Sequence, residues 1–106
     1  MTLKPPQNLS FSSSGRFDPL AYELMAEKAD ALGRSGQKVE AALKALKAGD
    51  PAGDPQVYEK LLADAADHVW AFFIQREICG FRNQADAVRR YEIPAEVMGR
   101  LGVSRR

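Results

Sequence analysis

The chain lacks a second cysteine. Cys79 stands alone among 106 residues, so no disulfide can form within the chain and the fold must rest on packing. β-Branched residues are scarce too: 6 Val, 3 Ile and 1 Thr against 16 Ala and 10 Leu. Ala and Leu lose little side-chain freedom in a helix, whereas β-branched residues suit a pleated sheet, so the balance predicts an all-α protein. Net charge is nearly absent, with 15 Lys+Arg against 14 Asp+Glu. That excludes a generally polycationic nucleic-acid binder but leaves room for a local basic patch. No long apolar run exists. The longest, Val69 to Ile74, has six residues, far short of the roughly 18 that a membrane-spanning helix needs. Met1-Thr2-Leu3-Lys4-Pro5-Pro6 has no apolar stretch of the secretory kind. The expected location is a reducing cytoplasm.

The charge that is present is unevenly placed. Residues 1–17 carry +2, residues 18–49 balance five against five, residues 50–75 carry −4 and residues 76–106 carry +3. An acidic middle and a basic end can attract each other within one chain or between two.

Residues 1–17 read as an extended or disordered arm, with two prolines, four serines and a glycine before Arg16. Leu9 and Phe11 are the residues of that arm able to dock on the body. The remainder, 18–106, reads as a single helical domain. Asp18 is placed to cap the first helix and Pro19 to open it, with Phe17 and Tyr22 at hydrophobic-staple positions. The first helix is expected over about 18–48, stopped by Gly49. Its apolar positions Met25, Ala29, Leu32, Gly36, Val39, Leu43 and Leu46 step by 4, 3, 4, 3, 4, 3, and Leu20 and Leu24 widen the seam at its start. Gly33 and Gly36 each cost about 1 kcal/mol of helix propensity. They suggest a close approach by another helix, or else a break into two shorter helices.

Asp54 and Pro55 open a second helix, expected over about 55–79 and ended by Gly80. Tyr58, Leu62, Ala65, Val69, Phe72, Arg76 and Cys79 repeat the heptad step, with Leu61, Ala66, Trp70, Phe73 and Ile74 beside or opposite it. Such a helix must be covered on more than one side. Two short helices remain, about 84–91 capped by Asn83 and about 94–101 stopped by Gly102. Either they fold back on Trp70 and Phe73, or a second copy covers that surplus. The expected architecture is a long antiparallel helical hairpin plus two short C-terminal helices, assembled as a four-helix-bundle-like homodimer. Met25, Leu32, Gly36, Val39, Leu43, Leu62, Val69, Trp70, Phe72, Phe73 and Arg76 are the expected interface residues. Arg76 is a charge on an apolar seam and needs a partner, Glu77 or an acid of another chain; there it would fix the register or oligomer state of the assembly, and otherwise it reaches out to solvent.

Signals for chemistry are sparse. Asp64, Asp67 and His68 share a helical face at i, i+3, i+4, a spacing that can hold a metal. Di-metal bundles use several inward carboxylates and Glu-x-x-His pairs, and the single histidine leaves these three as weak candidates beside a solvated acidic face. Cys79 is expected at a helix C-terminus, where the dipole disfavours a thiolate, and reads as a small buried hydrophobe. No nucleophile elbow, P-loop or dinucleotide fingerprint occurs, so no cofactor and no enzymatic activity are expected. Residues 82–106 pose the nucleic-acid question. Val88, Tyr91, Ile93, Met98 and Leu101 can form the core of a degenerate helix-turn-helix, with Arg82, Arg89, Arg90, Arg100, Arg105 and Arg106 near phosphates. Glu92 stands where a turn glycine is usual, and the second helix offers no Asn, Gln, Ser or Thr to read bases. Two small helices capping the bundle are the plainer reading.

The run His68-Val69-Trp70-Ala71-Phe72-Phe73-Ile74-Gln75-Arg76-Glu77-Ile78-Cys79-Gly80, followed by Tyr91-Glu92-Ile93-Pro94, resembles a family of small bacterial all-α proteins of about 110 residues and unknown function. The Leu32-Gly33-Arg34 segment and the proline-rich start belong to the same resemblance. It covers most of the chain, implies a bacterial cytoplasmic protein, and carries no activity and no catalytic residues. The residues themselves point to a non-enzymatic interaction or scaffold module that self-associates through its heptad-patterned helices. Nucleic-acid binding is the first alternative and a metal-binding or enzymatic bundle the second.

Overall fold

Helix caps set the element boundaries. The structure, a computed structural model, describes residues 18–102. The proline-rich arm with Leu9 and Phe11, the Phe17 half of the staple, and Arg105 and Arg106 lie outside the described residues. The Asp18 carboxylate accepts from the backbone N–H of Leu20 at 3.1 Å and of Ala21 at 3.4 Å, opening α1, Pro19–Ala48. Asp54 accepts from the Gln56 N–H at 2.9 Å and, with Pro55 behind it, opens α2, Pro55–Ile78. The Asn83 side chain accepts from the Asp86 N–H at 3.1 Å and opens α3, Gln84–Tyr91. Each cap satisfies backbone donors that have no partner inside the helix. The described residues contain four helices and no strand.

α1 is one helix through Gly33 and Gly36. The two glycines do different things. A β-carbon on Gly36 would lie 2.7 Å from the Tyr91 hydroxyl and 3.4 Å from the Phe72 ring, so this glycine is the close-approach point the sequence suggested. A β-carbon on Gly33 meets nothing within 4 Å.

The last helix is shorter than its sequence suggests. α4 is Ala95–Met98, with Pro94 at its cap rather than inside it, and residues 99–102 are turn. Gly99 stands where the helix would have to continue, at a propensity cost of about 1 kcal/mol. The chain instead closes i to i+3 bonds, Arg100 N–H to the Val97 carbonyl and Leu101 N–H to the Met98 carbonyl.

The chain divides into two compact units, Met1–Asp30 and Ala31–Arg106. In the second, α2 supplies most of the core. Leu62, Ala65, Ala66, Val69, Phe72 and Phe73 are buried together with Val39 and Leu46 of α1, Ala87 of α3, Ile93 and Val97 of α4. α4 packs on α2, and the Phe72 and Tyr91 rings meet edge-on with centroids 5.0 Å apart. Phe73 is buried in this core, at 3% exposed.

The corners after α2 and α3 each use a left-handed residue. After α2, Gly80 (φ 93°) lets its N–H reach the Glu77 carbonyl and the Phe81 N–H reach the Arg76 carbonyl. After α3, Glu92 (φ 53°) makes the same pair of bonds, with Glu92 N–H to Arg89 and Ile93 N–H to Val88. This is the Schellman ending, normally given to glycine. The corner after Tyr91 thus forms with glutamate in the strained position.

Candidate interaction surface

Apolar side chains that the fold leaves bare are the most distinctive surface feature. In the first unit, α1 residues 19–30 are almost wholly exposed, and Leu20, Leu24 and Met25 keep between 55% and 64% of their surface in water. Leu20 and Leu24 are one turn apart and share a side of the helix, and Met25 stands about 100° round from Leu24. Tyr22 is exposed as well.

In the second unit, the outer face of α2 carries Trp70, Ile74 and Ile78 at i, i+4, i+8, and beyond the helix end Phe81 is exposed as well, its ring against the Arg76 guanidinium. These four are between 42% and 56% exposed. The far edge of the Trp70 ring lies 3.7 Å from where a β-carbon on Gly102 would sit, so the C-terminal turn covers only part of the indole. Large apolar side chains clustered on one surface, unlike single ones, mark interaction sites.

The expected interface residues divide between core and surface. Gly36, Val39, Leu62, Val69, Phe72 and Phe73 are buried within the chain, and Leu32 and Leu43 are half-buried against them. Their heptad spacing serves the packing of this chain's own helices. Met25 and Trp70 are exposed. Ile78 and Phe81 are exposed too, although no heptad pointed to them. The signal for Ile78 was the i, i+4, i+8 step from Trp70.

Within the chain Arg76 does not take Glu77 as its partner. Its guanidinium donates to the Asn83 carbonyl at 3.1 Å and lies over two rings, 5.8 Å from the Phe72 centroid and 5.5 Å from that of Phe81. The contact is a cation–π sandwich. Its Nε is buried without a hydrogen-bond partner among the described residues. Glu77 instead accepts from the Gln84 side-chain amide at 2.9 Å. Arg76 thereby ties the start of the α2–α3 corner to its end.

Two clasps join the start of α2 to α4 and the turn that follows it. The Tyr58 hydroxyl donates to Glu96 at 2.7 Å. Arg100 makes a two-pronged contact with Glu59, one prong at 2.6 Å and the other from Arg100 Nη1 to Glu59 Oε2. The hydrogen bond from Arg100 holds the Glu59 carboxyl below its usual range, and the bond to Glu96 pushes the Tyr58 hydroxyl up. Beside them lies an open cleft of about 550 Å³, lined by Leu43, Lys47, Tyr58, Tyr91, Pro94 and Glu96 among others. Lysines and carboxylates line it in equal number, so it offers no preference for charge.

The other expected candidates are placed as follows. Asp64 pairs with Lys60 at 3.5 Å, Asp67 is exposed and His68 is half-buried. Among the described residues no three His, Cys, Asp or Glu side chains come together to hold a metal ion. Arg89 and Arg90 both engage Asp86, at 3.2 and 3.1 Å, Arg100 engages Glu59, and Arg82 is exposed. A helix of four residues such as α4 spans only about 6 Å. Among the described residues no helix is long and apolar enough to cross a membrane.

The chain belongs to a family of unknown function (DUF6665), whose model matches residues 13–106. No curated protein and no solved structure matches it.

Proposed function

We propose that this protein is a non-enzymatic, cytoplasmic interaction module that self-associates through apolar helix faces. One observation carries the reading. Among the described residues two stretches keep large apolar side chains about half exposed, Leu20, Leu24 and Met25 on α1 and Trp70, Ile74, Ile78 and Phe81 along and just beyond α2. Fully burying a large apolar side chain gains roughly 1.5–3 kcal/mol, and about half of that is still open to each of these half-exposed side chains, which a partner surface would supply. The mechanism is burial of these faces, with the charges around them selecting the partner.

The test is absolute molar mass in solution by light scattering behind a sizing column. The expected mass is twice 11.7 kDa at micromolar concentration, falling on dilution. A monomer at every concentration overturns self-association.

A further inference from the structure

The self-association just proposed leaves open which face each copy uses and which way round it lies. We infer that the Trp70–Ile74–Ile78 row of α2 packs on the same row of a second copy, with the two helices antiparallel and the twofold axis at Ile74. The inference rests on the self-association reading and adds the face and the orientation.

The row is symmetric about its middle. Trp70 and Ile78 each stand four residues from Ile74, and all three are between 42% and 56% exposed. In an antiparallel pair turned about Ile74, Trp70 of either copy lies level with Ile78 of the other, and Ile74 meets Ile74. The same patch thus serves both copies, as a closed twofold dimer requires. Every residue it uses belongs to α2, so the contact is complete within one helix of each copy. Trp70 is the sole tryptophan, a residue type enriched where interface energy concentrates. The bare side of α1 offers no such row, because Met25 is turned about 100° from Leu24.

The acids beside the row choose the orientation. Asp67 and Glu77 are both exposed and lie on the side of α2 that carries the row. Parallel helices in register would set Asp67 against Asp67 and Glu77 against Glu77, inside a Debye length of about 8 Å. Antiparallel helices turned about Ile74 hold the two Asp67 residues about 21 Å apart along the axis, at about 1.5 Å per residue. They bring Glu77 level with Ala71, a small exposed residue. Charge of this kind sets orientation more than affinity.

Area sets the strength. Three half-exposed side chains giving up on the order of 100 Å² each, in both copies, remove about 600 Å² of apolar surface from water. The stems of Asp67 and Glu77 and the Ala71 methyl bring the contact to about 1,000 Å², the lower edge for a specific interface. The dimer is therefore weak, and dilution takes it apart.

The test is disulfide trapping in the full chain carrying Cys79→Ser, which removes the native thiol. Under mild oxidation by oxidised glutathione, Ile74→Cys should give a disulfide-linked dimer. Trp70→Cys alone and Ile78→Cys alone should not. Their equimolar mixture should link at least tenfold more than either alone, because the mixed dimer keeps one Trp70–Ile78 layer and the Ile74 pair. Val57→Cys sets the background from random collision, since Val57 is as exposed as Ile78 but lies outside the row. Ile74→Gln, with the native cysteine kept, should associate at least tenfold more weakly by light scattering at unchanged helicity, because the loss counts in both copies. Self-linking of Trp70→Cys or of Ile78→Cys above the Val57→Cys background means parallel helices and overturns the inference. A dimeric parent in which Ile74→Cys links no better than Val57→Cys places the contact away from α2 and overturns it as well. In both cases the self-association reading stands. A parent that is monomeric at every concentration overturns both.

Discussion

The two parts of α1 share one sequence pattern and have opposite fates. From Ala31 to Ala48 the heptad positions Gly36, Val39 and Leu46 are buried, with Leu32 and Leu43 half-buried beside them. From Pro19 to Asp30 the same pattern offers Met25 and Ala29, and both are exposed. Periodicity therefore sets which side of a helix is apolar, but not what covers it. α2 makes the same point across its width. Val69, Phe72 and Phe73 are at most 3% exposed, while Trp70 and Ile74, their neighbours in sequence, stand in water.

The largest expected effect tests whether that contrast is one of energy as well as exposure. Phe72→Ala should cost about 3–5 kcal/mol of folding stability, from lost burial and the cavity left under Tyr91. Ile74→Ala should stay within about 0.5 kcal/mol when measured at a dilution where the chain is monomeric. Urea unfolding of both variants checks this. Equal losses at the two positions would mean Ile74 is covered within the chain and would erase the distinction between the two faces.

The legible parts of this fold are those written in a few adjacent residues. Asp18-Pro19, Asp54-Pro55 and Asn83 each mark a helix start, and each caps as its chemistry requires. The all-α class follows from composition, and the long hairpin from two heptad runs separated by a proline-rich turn. The clasps were not legible. Tyr58 and Glu96 are 38 residues apart, Glu59 and Arg100 41, and no spacing rule links such pairs. Arg76 was legible as an oddity but not in its resolution. An arginine on an apolar seam predicts a carboxylate, whereas the fold supplies two phenyl rings and a carbonyl. The bare faces were half legible. The apolar surplus around Trp70 and Phe73 was plain, but which of the two the fold would bury depends on packing.

The glycines of α1 sharpen the comparison at about 1 kcal/mol. Gly36→Ala gains helix propensity but drives a methyl group against the Tyr91 hydroxyl and the Phe72 ring. Overpacking of that kind costs about 1–3 kcal/mol, so a net loss is expected. Gly33→Ala meets nothing and should stabilise the helix by about 1 kcal/mol. Opposite shifts in melting temperature are the expected result. A loss at both positions would place Gly33 in a close contact between copies. The corner after α3 offers an effect of similar size. Glu92→Gly relieves a left-handed glutamate and should stabilise by about 1 kcal/mol, less the backbone entropy that glycine adds to the unfolded chain.

The smallest effect lies in the clasps that fasten α4 and the turn after it to α2, and pH separates them. The folded pKa of Glu59 is lowered by its bond to Arg100. Its unfolded value is about 4.3. The unfolded chain therefore binds the proton first as pH falls, and stability from this contact is whole above that value and fades below it. Tyr58 runs the other way. Its folded pKa is raised by Glu96, so its contribution is whole below the unfolded value, about 10, and is lost as pH rises through the folded one. Glu59→Gln should flatten the acid limb of a melting-temperature profile, and Tyr58→Phe the alkaline limb, each leaving the other limb unchanged. Both shifts should be small, because the pairs are exposed to solvent and exposed pairs are screened. Raising the salt concentration should shrink the acid limb in the parent and leave the Glu59→Gln variant unmoved. If the limbs instead respond together, the clasps act as one coupled unit. The C-terminal turn, the partial cover on Trp70, would then open in one step, exposing the rest of the α2 stripe.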